Sequence, residues 1–360
     1  MNHADRTAAA TSAGGAPASR RCDDVPHNAW YVAATSQEVG RTPLARRLLG
    51  QRVVLYRTTD GTAVALADRC AHRPVPLSAG QVVGDDIVAA YTGFRYAPDG
   101  RCVGVPTQEN VPFGARVAAY PVHEDGTFVW VWPGEARRAR LRPPPATPWL
   151  QDAGWSTFGG AWETRAGIRL LQDNFADITH VALVDPEIAP PALATAPPAL
   201  EVQVSETRVR FSRDFPPAPV AGWHAQVLGV AEDASHAQRE EGEFASPGLW
   251  VDRWQVSVSG HGEADGEHAW VFTHALTPLD ETTTRHVWRV SRNFKHSAAA
   301  EGTLAPLFER YYTRVRAALE SMQAMLDEDG PAPEVSVAAD AAGSQVRRIM
   351  DRLVADETGR

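Results

Sequence analysis

The chain has 360 residues, of which 44% are apolar and 22% are charged, and its formal net charge is −9. This length is sufficient for two domains with substantial cores. The excess of acidic residues disfavours general binding to nucleic acids or anionic membranes, because both require a basic surface. No apolar run approaches the roughly 20 residues that a membrane-spanning helix needs. We therefore expect neither nucleic acid nor membrane as a partner.

The N-terminal segment, residues 1–26, is predicted to be a disordered tail. Ala, Ser and Gly dominate it, and the pair Arg20-Arg21 is not followed by the apolar stretch of an export signal. The three cysteines of the chain, Cys22, Cys70 and Cys102, are too few and too scattered for a disulfide framework. Both observations predict a cytoplasmic protein.

Residues 27–136 consist of short β-like runs separated by turn signals. Asp-Gly pairs begin at positions 60, 99 and 125, and each pair suits a tight hairpin between two strands. The pattern predicts a compact all-β domain. Residues 137–148 are basic and then rich in proline, which is typical of a stiff linker between domains.

Residues 149–360 combine helical and β patterns and are predicted to form an α+β domain. A helix is expected at about 169–183, and several successive strands then suggest an antiparallel sheet. Apolar residues at helical spacing predict a long helix at about 304–327, and a last helix is expected at 344–355.

Four stretches spread over both domains carry a distinctive pattern: HNAWYVAATSQEVG, ALADRCAHRPVPLSAGQVVGDD, TFVWVWPG and QDNFADITHVALVDP. They resemble the oxygenase component of Rieske non-haem iron oxygenases, of the vanillate O-demethylase type. The resemblance runs from about His27 to the C-terminus. It implies an N-terminal all-β Rieske-like domain and an α+β, helix-grip-like catalytic domain.

In that family, two loops of the β domain each give one Cys and one His to a [2Fe–2S] cluster. The first loop is present here as Cys70 and His72. The second loop has Ala89 and Thr92 at the corresponding positions, and neither offers a thiolate or an imidazole. Cys102, ten residues after Thr92, is a poor replacement because we place it on the next strand. Cys70 and His72 are therefore interpreted as vestigial ligands.

The family also holds a mononuclear Fe(II) in the second domain, on two histidines and a carboxylate. Asn174, Asp177 and His180 match the pattern around the first histidine, which makes His180 a further vestigial ligand. The position of the second histidine is occupied by Asp185.

The carboxylate ligand of the family comes from the late helix, shortly before a turn rich in Glu and Gln. Alignment of Glu320 and Gln323 with that turn places Arg314 or Val315 at the carboxylate position, although a shift by one helical turn would change this and Glu309 lies nearby. We therefore expect no cofactor, with a [2Fe–2S] cluster and Fe(II) present only if this ligand argument is wrong.

The former iron pocket suggests acid–base chemistry, with His180 assisted by Asp185 or Asp177 as candidate catalytic residues. Asn174, Trp223 and Trp250 are candidate substrate-binding residues. The leading hypothesis is a cyclase or isomerase that acts on a bulky, apolar intermediate of bacterial secondary metabolism.

Two alternatives stay open. The chain is a non-catalytic partner of an intact homologue, or it is a genuine oxygenase or O-demethylase with unusual ligands. The resemblance implies a homotrimer or a mixed oligomer with a homologue.

Overall fold

The structure is a computed structural model that describes residues 22–258 and 266–359. Most of the predicted tail lies outside the described residues. Its last part, residues 22–26, packs onto the protein, because Cys22 is fully buried and Val25 is 3% exposed. The packed chain therefore starts a few residues before the predicted domain boundary at His27.

Three small antiparallel sheets form the N-terminal part. One contains, in order, β1 (Tyr31–Thr35), β11 (Phe128–Val131) and β10 (Val122–Glu124). The second contains β2 (Leu44–Leu48), β3 (Gln51–Arg57), β4 (Ala63–Ala67) and β9 (Ala119–Tyr120). The third contains β5 (Gln81–Val83), β6 (Asp86–Val88), β7 (Arg95–Tyr96) and β8 (Cys102–Gly104).

The Asp-Gly turns occur where the sequence predicts them. Gly61, Gly100 and Gly126 all have φ between +80° and +89°, a backbone conformation that residues other than glycine adopt only with strain. At Gly100 the backbone of Val117 also passes too close for a Cβ atom. The three Asp-Gly turns from which the all-β domain was predicted are therefore present in the structure.

The second part is built on one seven-stranded antiparallel sheet, in the order β12-β18-β17-β16-β15-β14-β13. Its strands are β12 (Ser156–Thr164), β13 (Glu201–Val204), β14 (Val209–Ala218), β15 (His236–Ser246), β16 (Leu249–Val258), β17 (Gly266–Asp280) and β18 (Thr283–Arg292). The helices are α1 (Ala136–Ala139), α2 (Ile168–Ala176), α3 (Val181–Val184), α4 (Gly222–Leu228), α5 (Ala298–Asp329) and α6 (Ala341–Thr358). None of these helices is long and apolar enough to cross a membrane.

The predicted helix at 169–183 is divided by Asp177. Helix α2 stops before this residue, whose extended backbone (φ −138°) starts a short 3₁₀ turn that leads into α3. The predicted long helix at 304–327 lies inside α5, which starts earlier because Ser297 caps it by accepting a hydrogen bond from the amide of Ala300.

The predicted linker, residues 137–148, packs against the β sheets. Helix α1 covers its first residues, and the indole N–H of Trp30 donates to the carbonyl of Arg142 at 2.5 Å. The two parts also share one apolar core, in which Tyr31 and Leu48 contact the same cluster as Leu171 and Leu276.

Gly242 on β15 offers a test of this packing. A Cβ atom at this position would meet the ring of Phe211 on β14, so we expect Gly242→Ala to lower the free energy of unfolding by about 1–3 kcal/mol. Gly302→Ala is the control, because Gly302 lies exposed in α5 with no atom within 4 Å of the added methyl group. Urea unfolding should show a stabilisation of about 0.5–1 kcal/mol for the control. Equal effects of the two changes would contradict the described packing.

Candidate functional site

The main cavity lies between the seven-stranded sheet and α5. Its volume is about 120 Å³, counted as the space that the centre of a water molecule can occupy. Its walls are mainly aromatic, with Phe175, Trp223, Trp254, Trp270, Phe272 and Phe308 among them. An apolar cavity of about 150 Å³ can hold benzene, so this space suits a compact molecule with one ring.

His180 lies at one end of the cavity, where the turn after α2 holds its ring. The carboxylate of Asp177 caps this turn by accepting hydrogen bonds from the backbone amide and hydroxyl of Thr179, each at 2.8 Å. The Nδ1 atom of His180 lies 2.7 Å from the carbonyl oxygen of Asp177, and Nε2 lies 3.2 Å from the hydroxyl of Tyr311. A proton on Nδ1 therefore leaves the lone pair of Nε2 facing Tyr311 and the cavity.

Burial sets the protonation of both partners in this contact. It lowers the pKa of His180, and the carbonyl and carboxylate of Asp177 oppose this effect only in part. Burial also raises the pKa of Tyr311, and the carboxyl groups of Asp252 and Asp185 raise it further. At neutral pH the pair is a neutral imidazole beside a neutral phenol.

Asp252 on β16 is a second titratable group in the cavity. Burial raises its pKa well above the ordinary value, although a hydrogen bond of 2.7 Å from the indole of Trp250 acts in the opposite direction. Its other oxygen lies 3.7 Å from Nε2 of His274. Asp252 is thus a carboxyl group whose burial in an apolar wall favours the protonated form.

Two further histidines form a buried pair at this wall, where His274 lines the cavity and His286 lies behind it. The Nδ1 atom of His274 is 3.1 Å from Nε2 of His286. Burial lowers the pKa of His286 to about 3 and that of His274 well below its ordinary value. Both rings are therefore neutral, and they support the wall without adding charge to it.

Asp185 does not join His180. Its carboxylate is 1% exposed and lies 3.1 Å from both Arg310 and Arg314, which are four residues apart on α5. This ion pair ties the end of α3 to α5 outside the cavity. The expected acid–base pair of His180 and Asp185 is thus not formed, because the two arginines hold the carboxylate instead.

The other predicted site residues have different positions. Asn174 and Trp223 line the cavity as expected. Trp250 is fully buried in the core, where its indole donates to Oδ1 of Asp252, and it is not among the residues that line the cavity. The carboxylate of Asp177 faces the turn and a separate polar surface cavity, so Asp177 contacts the ring of His180 through its backbone carbonyl, and its carboxylate acts on that ring by its charge alone.

The late helix places none of the candidate carboxylate positions in the cavity. Arg314 contacts Asp185, Val315 is buried in the core, and Glu309 is exposed. The amide oxygen of Gln323 accepts a hydrogen bond from the amide of Gly167, which anchors α5 at the start of α2. Glu320 bonds to Arg165 next to it.

In the β domain, the structure brings the two predicted ligand loops together. The sulfur of Cys70 lies 3.3 Å from the hydroxyl of Thr92 and 3.2 Å from that of Tyr96. Burial opposes ionisation of the thiol, but these hydrogen bonds and two backbone amides outweigh it and lower the pKa of Cys70. His72 is exposed and stacks on the ring of Phe94, with centroids 4.9 Å apart.

Comparisons with known proteins agree with this two-part arrangement. The model of the Rieske [2Fe–2S] domain matches residues 29–121, and the model of the vanillate O-demethylase oxygenase C-terminal domain matches residues 164–356. The chain belongs to the Rieske oxygenase family. The resemblance seen in the sequence and the predicted fold, an all-β domain followed by an α+β domain, are confirmed.

Individual relatives cover almost the whole chain. The putative toluene-4-sulfonate monooxygenase system iron-sulfur subunit of Comamonas testosteroni is 33% identical and covers 92% of this chain and 98% of its own. The vanillate O-demethylase oxygenase subunit of Pseudomonas sp. strain HR199 is 28% identical, with 92% and 96% covered. Dicamba monooxygenase bound to 3,6-dichlorosalicylic acid has a TM-score of 0.84 at 26% identity, with 93% and 99% covered.

The comparisons contradict the expectation that no cofactor belongs to this protein. The matching N-terminal model is that of a [2Fe–2S] domain, and one similar structure is dicamba monooxygenase with non-haem iron and dicamba, at a TM-score of 0.78 and 26% identity. A [2Fe–2S] cluster and a non-haem iron are therefore the cofactors that this family normally holds. The prediction of no cofactor, which rested on the replaced ligand positions within an otherwise recognised fold, is wrong by these findings.

The donor atoms for these cofactors are incomplete in the described residues. Ala89, 1% exposed in the apolar core of the β domain, offers no donor, and Thr92 offers a hydroxyl that already contacts Cys70. Within residues 22–258 and 266–359, no three His, Cys, Asp or Glu side chains are arranged to hold a metal ion. These residues do not fit the cluster or the iron, so the chemistry of the site is derived from its own side chains.

Several residues of the cavity were not predicted as site residues, above all Asp252, Tyr311 and Glu240. The strand LWVDRWQVSV contained a usable signal, because a period of two places Asp252 on the same face as Trp250 and Trp254. For Tyr311 no such signal existed, since its spacing on α5 equally fits a core position.

The buried histidines predict a dependence of stability on pH. The unfolded chain binds a proton at His286 near pH 6.5, whereas the folded imidazole does so only near pH 3. Acidification through this window thus favours the unfolded state, by about 1.4 kcal/mol per pH unit for this residue. We expect His286→Gln to make the decline of the unfolding free energy between pH 6.5 and 3 less steep by about this amount.

Thermal and urea unfolding at a series of pH values measures this slope. His123→Gln, at an exposed position on β10, controls for the loss of an imidazole. An unchanged slope in His286→Gln would show that His286 does not stay neutral in the folded protein.

Proposed function

We propose that the cavity is the active site for a compact, largely apolar molecule, and that its own side chains transfer protons on that molecule, as an isomerase or cyclase does. The location of His180 and Asp252 in one apolar cavity, where burial favours the neutral form of both groups, supports this most directly. Such a pair can remove a proton at one atom and donate a proton at another while both groups start uncharged.

His180 is the base in this proposal. Its Nε2 atom accepts a proton from the substrate directly or through Tyr311, whose hydroxyl passes its own proton to Nε2 as it takes one from the substrate. The carbonyl of Asp177 keeps the ring in the required tautomer, because it accepts the hydrogen bond from Nδ1.

Asp252 is the acid. Its protonated carboxyl group donates to a carbonyl oxygen of the substrate and stabilises the enol that forms when the base removes the neighbouring proton. The aromatic walls hold the ring of the substrate and exclude water, so the reacting atoms stay in place. The cavity suits one ring, so the substrate is smaller than the bulky molecule expected from the sequence.

Oxygenation is the second candidate. The comparisons favour it over a rearrangement, because the relatives reported above are named as a monooxygenase subunit, a demethylase subunit and a monooxygenase. An oxygenase component of this kind receives electrons from a partner protein and acts on a small molecule. The incomplete donor set in the loops of Cys70 and His180 is the reason for its second rank.

Hydrogen exchange tests the proton-transfer proposal without knowledge of the product. The protein is incubated in D₂O with single-ring ketones such as cyclohexanone and phenylacetone, and deuterium next to the carbonyl is measured by NMR. We expect catalysed exchange, and a loss of about 10²–10⁴-fold in His180→Gln and in Asp252→Asn. Asp214→Asn, an exposed carboxylate on β14, is the matched control and should retain the rate.

A parallel measurement decides between the two candidates. The protein is supplied with iron and sulfide without oxygen and then mixed with a reductase, NADH, oxygen and toluene-4-sulfonate or vanillate. Three irons and two sulfides per chain, for one cluster and one mononuclear iron, together with an oxygenated product would establish oxygenation. Exchange that is insensitive to both His180→Gln and Asp252→Asn would remove the proton-transfer proposal.

A further inference from the structure

The charged groups at the cavity form an unusual set. Glu240 on β15 lines the cavity and is 3% exposed, and its Oε2 atom lies 2.5 Å from Nε of the equally buried Arg213. This pair has no net charge. Gly242 is the cross-strand partner of Asp252, so Glu240, two residues before it, faces the same side of the sheet as Asp252.

The second carboxylate oxygen of Glu240 has no partner. Its Oε1 atom is buried and accepts no hydrogen bond from any of the described residues. A buried acceptor without a donor is costly, and a donor supplied by a ligand would remove this cost. The wall at Glu240 therefore favours a ligand that brings an O–H or N–H group.

Both cations described at the cavity are already engaged. Arg213 pairs through Nε with Glu240, although its buried Nη2 atom has no partner, and Arg253, which is among the lining residues, places its guanidinium 5.0 Å from the ring of Trp149, on the face of the sheet opposite to Asp252. The pKa of the cavity histidine His224 is lowered by burial to about 3, so this ring adds no positive charge. A carboxylate or sulfonate in this space would lose its hydration without gaining a counter-charge.

We infer that the cavity selects a neutral molecule that carries a hydroxyl or N–H donor directed at the unpartnered carboxylate oxygen of Glu240, and that it rejects carboxylates and sulfonates. This inference rests on the proposal that the cavity is the substrate site. It holds for either protonation state of Asp252, because a neutral carboxyl group offers no attraction to an anion and an ionised one repels it.

Three probes of nearly equal shape test the selectivity by titration calorimetry at pH 7.5. They are 4-methylbenzyl alcohol, which is neutral with a donor, its methyl ether, which lacks the donor, and 4-methylbenzoate, which is anionic. We expect the alcohol to bind about tenfold more tightly than the ether, and the benzoate to bind most weakly. Binding of the benzoate as tight as that of the alcohol would overturn the inference.

A charge change sharpens the test. Glu240→Gln leaves Arg213 without its carboxylate, so the benzoate should bind at least tenfold more tightly than to the wild type. Glu241→Gln is the matched control: it lies next in the strand, on the opposite face, and pairs with Arg239. The control should keep the wild-type order of the three probes, and near-ultraviolet circular dichroism checks that both variants are folded.

The outcomes separate this inference from the proposed function. A preference for the benzoate in the wild type, or a folded Glu240→Gln variant with no gain for the benzoate, overturns the inference alone. If none of the three probes binds, both the inference and the assignment of the cavity as the substrate site are wrong. The wild-type ranking needs no variant, so the inference stays testable if Glu240→Gln does not fold.

Discussion

The removal of water from the space between α5 and the seven-stranded sheet is the constraint on which the site depends. In water, Asp252 would be ionised and His286 would titrate near pH 6.5. Phe308 and Tyr312 on α5 cover the sheet at this point, and the resulting burial raises the pKa of Asp252 and lowers that of His286. The position of α5 is in turn fixed by polar contacts, such as the bond between Gln323 and the amide of Gly167. The acid–base character of the cavity is therefore a consequence of helix packing.

The β domain shows that a fold can keep the geometry of a site when the donor atoms differ. The loops of Cys70 and Thr92 still meet, because hydrogen bonds between the sulfur and the hydroxyl groups of Thr92 and Tyr96 hold them together. Ala89 fills its place in an apolar core, where its amide donates to the carbonyl of Phe94 and its carbonyl accepts from the amide of Gly93. Such contacts stabilise the loops by the ordinary means of packing and hydrogen bonding. Fold membership and ligand content are thus separate properties of this chain, and only the first follows from overall similarity.

Much of the fold could be predicted from the sequence, because its signals are local. The Asp-Gly turns and the period of two in the strands are visible residue by residue, and so is the helical spacing of α5. The site was harder to predict, because its chemistry depends on which groups meet across the fold. Asn174 and Trp223 line the cavity as expected, whereas Asp185 pairs with arginines more than 100 residues away in the chain. Asp252 gains its properties only from burial by α5, which no single stretch of sequence reveals.

Position 185 illustrates why ligand positions cannot be judged one at a time. By the resemblance, a neutral imidazole belongs at this position, but the carboxylate of Asp185 is buried and requires positive partners. Arg310 and Arg314 provide them, one helical turn apart on α5. A return to an imidazole at position 185 alone would remove the shared partner of two like charges, so the three positions are energetically coupled. Because the same ion pair fixes the end of α3 against α5, it also helps to hold His180, five residues earlier, at Tyr311. The presence of Asp185 at the position of the family's second histidine therefore supports the geometry on which the proposed acid–base chemistry relies.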